Sequence, residues 1–131
     1  MLPTTAVPAY PPRRVLLVIE DGALSELLAE VLAEAGHTAL LADGESALAT
    51  ALGGASYDVA IVDLDTRARD GLQLLEYVRR SAPATTLVAL LPCGGLPASS
   101  AAPAYHLAIE KPAKLVAVLR AVNAAPASQI R

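Results

Sequence analysis

The sequence predicts an α/β fold: a doubly wound, five-stranded parallel sheet between two layers of helices. Three observations carry this expectation. The short continuous apolar runs Val15 to Ile19, Val59 to Val62, within a strand expected over Tyr57 to Asp63, and Thr86 to Leu91 have the length and composition of strands covered on both faces. Segments with helical spacing separate them, and strands alternating with helices imply right-handed crossovers and strands that all run one way. Charged residues stand at the ends of two of these runs and of a further one, Leu107 to Ile109: Glu20-Asp21, Asp63 and Lys111, which puts them on the edge where open α/β sheets carry their chemistry.

The elements follow in order. Residues 1-12 hold Pro3, Pro8, Pro11 and Pro12 and read as an extended tail outside any sheet. Arg13-Arg14 opens the first strand. Leu24, Leu27, Leu28, Val31, Leu32 and Ala35 then recur at helical spacing, with Glu26, Glu30 and Glu34 opposite and Gly36 placed to cap the carboxyl end. Thr38 to Ala42 reads as the second strand and Asp43-Gly44 as a turn. Glu45 to Leu52 reads as a short helix ended by Gly53-Gly54. Gly71 to Ser81 is the third helix, stopped by Pro83. Between Pro97 and Pro103 only five residues remain, so a fourth helix is short or absent. Leu107 to Glu110 is the last strand. Lys114 to Asn123 is the last helix, with Leu115, Val118, Leu119 and Val122 inward. The domain spans 13-124, and 125-131 reads as a C-terminal tail.

Composition narrows the function. The chain has 131 residues, enough for one core of ordinary size, and no Trp or Phe, so that core is aliphatic. A net charge of -3 and the lack of aromatic platforms argue against binding nucleic acid. Cys93 is the only cysteine, which excludes an internal disulfide and fits a reducing, cytoplasmic location. No export signal is visible. From Ser81 to Ile109 there are 29 residues without Asp, Glu, Lys or Arg, but Pro83, Pro92, Pro97, Pro103 and Gly94-Gly95 break the stretch too often for a membrane span.

The candidate site gathers Asp63 and Lys111 with Glu20 and Asp21, and Asp70-Gly71 follows Asp63 by seven residues, just ahead of the third helix. Acids and one lysine on one rim suit a divalent cation and a phosphoryl group. Asp63-Leu64 with Asp70-Gly71, Lys111-Pro112, Asp43-Gly44 with Ala47-Leu48, and the acidic end of the first strand together resemble the receiver domain of two-component response regulators. The resemblance implies the flavodoxin-like strand order 2-1-3-4-5. It also implies that Asp63 is the phosphoacceptor, that Lys111 contacts the phosphoryl oxygen, and that Mg²⁺ is held by Glu20, Asp21, Asp63 and the main-chain carbonyl of Asp65. Asp70-Gly71 reads as structural, ending the loop and starting the helix.

The chain departs from the family pattern at several positions. Counting back seventeen residues from Gly36 reaches Ile19 where the family has its first acid, so on this ungapped register Glu20 is the direct metal ligand and Asp21 the variable third. Leu91 stands where the family has a Thr or Ser, and Ala108 where it has the switching aromatic. Two readings follow. One is a phosphoacceptor with an atypical output switch, served by a histidine kinase or phosphotransfer protein. The other is a degenerate, phosphorylation-independent receiver that acts as an interaction module. Neither is an enzyme, and neither implies nucleic acid or membrane as partner. The uncharged window from Leu91 to Tyr105 predicts a contact surface, with a homodimer through the face between the fourth strand and the last helix.

Overall fold

The structure is a computed structural model that describes residues 11–64, 71–92, 105–111 and 115–126. Its elements run β1 (Arg14–Val18), α1 (Gly22–Glu34), β2 (Thr38–Leu41), α2 (Glu45–Gly54), β3 (Val59–Asp63), α3 (Gly71–Ser81), β4 (Thr86–Leu91), β5 (Leu107–Glu110) and α4 (Leu115–Ala124). The five strands form one sheet in the order β2-β1-β3-β4-β5, the order the resemblance implies, and every neighbouring pair is parallel, as the alternation of strands and helices predicts. The window 93–104, in which at most one helical turn is expected, lies outside the described residues.

Alternation along the strands splits the core in two. Leu16, Val18, Ala60, Val62, Leu87 and Ala89 face α2 and α3, where they meet Leu48, Leu74, Leu75 and Val78. Val15, Leu17, Val59, Ile61, Val88 and Leu90 face α1 and α4, where they meet Leu28, Leu32, Val118 and Val122. The central strands β1 and β3 are buried on both faces, which explains why their sequences are continuous apolar runs rather than alternating ones. The edge strands differ. In β2, Leu40 and Leu41 are exposed, as is Leu107 in β5.

Several local expectations need correction. Leu27 does not join the core. It is 46% exposed, because at about 100° per residue it sits a full step off the line through Leu28 and Leu32, and Ser25 takes the buried place instead. Helix α2 ends at the Gly53-Gly54 pair but includes it, two residues past Leu52, and an extended Ala55 follows. Tyr57 precedes β3 rather than beginning it. Its ring is buried, and its hydroxyl donates to the Ala51 carbonyl at 3.3 Å. Burial pushes this phenol above its usual range, an effect opposed by the Arg14 guanidinium over its ring. Ile19 and Ala42 fall just beyond their strands yet remain buried.

The end of α1 is as expected. Gly36 takes φ 94°, its N–H donates to Ala33 at 3.0 Å, and the His37 N–H donates to Leu32 at 2.9 Å. This is the paired hydrogen-bond pattern that a left-handed glycine permits at a helix end.

Candidate functional site

Asp63 is the last residue of β3 and shares the sheet face of Val59 and Ile61. It is 1% exposed. Its paired neighbour on β4 is Leu90, and continuing the β1·β3 register by one residue places Ile19 level with it on the other side. Both neighbours are buried in the core under α1 and α4. The carboxylate thus emerges between two apolar side chains at the carboxyl edge of the sheet. Burying an ionised carboxylate there is costly without a compensating charge.

Lys111 supplies that charge. Its backbone N–H donates to the Leu91 carbonyl at 2.9 Å, which extends the β4·β5 ladder by one residue and fixes where the side chain starts. Its Nζ lies 3.0 Å from Asp63 Oδ2, with the lysine side chain 22% exposed. The lysine therefore reaches from the solvent margin into the site.

The acids after β1 take separate paths. Glu20 is half-buried, one residue beyond the position level with Asp63. Asp21 is exposed and caps α1, its Oδ1 accepting from the N–H groups of Ala23 at 3.0 Å and Leu24 at 3.2 Å. Asp65 and Asp70 lie outside the described residues. Among the described residues no group of three or more His, Cys, Asp or Glu side chains is close enough to hold a metal ion.

Gly71, at the start of α3, has a role that spacing alone did not show. A Cβ here would lie 2.7 Å from Leu64 Cα and 2.8 Å from the Asp63 carbonyl oxygen. Only a glycine lets α3 come this close to the chain that carries the acid. Gly71→Ala is expected to cost about 1 to 3 kcal/mol, because the obstacle is backbone and cannot turn aside. A urea midpoint within error of wild type would contradict that.

Leu91 and Ala108 also have clear local surroundings. Leu91 is half-buried and packs on the core under α2 and α3, so the position contributes apolar contact rather than a hydroxyl. Ala108 is half-buried and in register with Ala89. Tyr105 packs partly buried against the same core as Leu91. Away from the site, an open groove of about 730 Å³ runs between α2 and α3, lined by Glu45, Gln73, Tyr77 and Arg80 among others. Beside it Glu76 pairs with Arg79, which holds the Glu76 carboxyl below its usual range.

Comparison with solved structures gives the same fold. A response regulator from Burkholderia pseudomallei, described with a phosphorylated aspartic acid, calcium ion and citrate, aligns with TM-score 0.74 and 19% identity over 86% of this chain and 67% of its own. A putative response regulator from Chloroflexus aurantiacus aligns with TM-score 0.70 and 26% identity, over 87% of this chain and 99% of its own. A CheY-like receiver domain protein from Methanospirillum hungatei aligns with TM-score 0.71 and 16% identity, over 86% and 91%. No protein-family model and no curated protein matches the chain. The chain has the fold of response regulator receiver domains, and no helix among the described residues is long and apolar enough to cross a membrane.

Proposed function

We propose that this chain is a receiver domain of two-component signalling, spanning 13-124 in the cytoplasm, and that Asp63 accepts a phosphoryl group from a histidine kinase or phosphotransfer protein. The observation that carries this reading is the Asp63–Lys111 pair: a buried strand-end carboxylate whose counter-charge comes from the end of another strand at the sheet's carboxyl edge. In the transfer an Asp63 carboxylate oxygen forms the new bond to phosphorus while the bond from phosphorus to the donor's imidazole nitrogen breaks, leaving that electron pair on the imidazole. Lys111, partly exposed, turns its ammonium toward the added phosphoryl oxygens. The oxygen donors of Glu20, Asp21, Asp63 and the Asp65 carbonyl suit Mg²⁺, which when bound offsets the negative charge gathered on the transferring group.

Intact-mass measurement after incubation with acetyl phosphate and Mg²⁺ tests the reading. Wild type is expected to gain one phosphoryl group and Asp63→Asn none. A wild type that gains nothing would sink it.

A second reading, a phosphorylation-independent interaction module, is favoured by Ile19. That side chain is buried level with Asp63 where a further acid would serve the metal, and Asp21 is engaged in capping α1. If the first reading holds, Ile19→Asp tightens Mg²⁺ binding several-fold in a titration. Unchanged affinity would show that Glu20 and Asp21 already form the acidic pair. For either reading the proposed contact surface, including a homodimer, is the face from β4 to α4, where Leu107 and Val116 are exposed.

A further inference from the structure

A second groove, of about 460 Å³, lies between β5 and α4. Leu107 and Ile109 line it from β5, Ala121 and Ala124 from α4, and Ala125 and Pro126 stand at its end by the amino edge of the sheet. Among the described residues Arg120 is the only charged side chain along it. Leu107 is left 46% exposed there, although it shares the face of β5 that turns Ile109 onto the core under α4. An open apolar groove beside an edge strand is a surface that small domains cover with a further segment or a partner.

The chain itself arrives at that end of the groove. The Arg13 guanidinium donates to the Ala125 carbonyl from Nε at 2.9 Å and from Nη2 at 2.6 Å, and to the Pro11 carbonyl from Nη1 at 3.1 Å. One planar group therefore ties Pro11 to a residue that lines the groove. Arg13 is firmly held: it is 7% exposed, its backbone N–H donates to His37 Nδ1 at 2.9 Å, and its carbonyl accepts from the Thr38 N–H at 2.9 Å. His37 is buried in turn, with Nε2 2.8 Å from Asn123 Oδ1 on α4. Residues 1–10 lie outside the described residues. None has a charged side chain, and Leu2, Val7 and Tyr10 are large and mainly apolar, which matches the groove. Pro3, Pro8, Pro11 and Pro12 favour an extended chain that loses little freedom on docking, and their missing N–H groups suit side-chain packing better than a new strand on β5. Four residues, Val7 to Tyr10, span about 12 Å in that form, and the four residues of β5 span about 13 Å.

We propose that the segment before Pro11 docks along the groove between β5 and α4, with Val7 and Tyr10 filling it and covering Leu107. Tethered at Pro11, the segment meets the groove at an effective concentration on the order of millimolar, so weak contacts are enough. A second copy of the chain would have to overcome the full cost of association. Once seated, the segment covers part of the contact surface proposed above, and a partner on that surface must displace it. This consequence rests on the contact-surface reading, whereas the docking does not.

Nuclear Overhauser contacts in the whole chain test this. They are expected from the Tyr10 ring and the Val7 methyl groups to the methyl groups of Leu107 and Ala121. Leu107→Glu with Ala124→Glu, at two exposed positions, should abolish them, and so should Val7→Asp, a change in the tail alone. Absence of these contacts in wild type overturns the proposal. Contacts from Ile130 in their place, which would seat residues 127–131 in the groove, also overturn it, as do contacts found only between separately labelled chains, which would seat a second copy. Because the chain has no Trp, Tyr10→Trp adds a quantitative reading. Acrylamide is expected to quench it several-fold less than in the same chain carrying the two glutamates, and equal quenching overturns the proposal. The covering role is read separately: removing residues 1–10 is expected to strengthen self-association several-fold in light scattering. Unchanged self-association, with the contacts present in the full chain, would remove the contact-surface reading and leave the docking standing.

Discussion

Replacing Lys111 by methionine is expected to lower unfolding free energy by about 2 to 4 kcal/mol, whereas Asp63→Asn changes it by less than about 1 kcal/mol in the absence of divalent cations. The asymmetry comes from where the two groups sit. The Asp63 side chain is 2% exposed, so without Lys111 a carboxylate is left buried beside Leu90 and Ile19. The Lys111 side chain is 22% exposed and can carry its ammonium into water when Asp63 becomes a neutral amide. The lysine loss is set below the full value for a sealed pair because solvent reaches this one from one side. Urea unfolding of the two single variants and the double variant, read as a cycle, measures it. A larger loss in Asp63→Asn than in Lys111→Met would show that the carboxylate, not the lysine, is the structural partner.

The second large effect is in the core beneath α1. Leu28→Ala is expected to cost about 2 to 5 kcal/mol, and Leu27→Ala less than about 1. Leu28 is fully buried in the cluster with Val15, Leu17, Ile61 and Val118, where truncation opens a cavity that fixed strands cannot fill. Leu27, one residue earlier, is 46% exposed. Equal losses in thermal or urea denaturation would mean that α1 is rotated from the orientation described.

Much of this fold is legible in the sequence because burial on two faces leaves a plain mark. The strands β1, β3 and β4 are continuous apolar runs, and the amphipathic spacing of α3 and the glycine after α1 set their limits. Edges are less legible. In β2 the run Thr-Ala-Leu-Leu leaves Leu40 and Leu41 exposed, and in sequence apolar residues on a sheet edge look the same as those inside it. The periodic argument also overreached at Leu27, because a helix lying on a sheet buries a narrower stripe than its apolar residues span.

The site was legible in part. The strand-end positions of Asp63 and Lys111 follow from where the apolar runs stop, and the structure brings the two together. Asp21 is read from the sequence as a metal ligand, whereas the structure shows its carboxylate capping α1; an Asp-Gly pair opening an amphipathic run is the signal that could have shown the cap. Gly71 could have been suspected from its place between a loop and a helix, but the approach of α3 to the Asp63 carbonyl needs coordinates. Arg13 and His37 gave no periodic signal at all. Their pairing spans residues far apart in sequence, and an arginine next to a second arginine at a strand start reads as a solvated charge.

The contact of the Arg13 guanidinium with the Ala125 carbonyl has one more consequence. It brings the point where the chain comes into the sheet to the point where it leaves α4, so the domain is closed on itself like a loop tied at one knot. It can be set into a surface loop of another protein, or cut elsewhere and rejoined across this knot, without asking the sheet to deform.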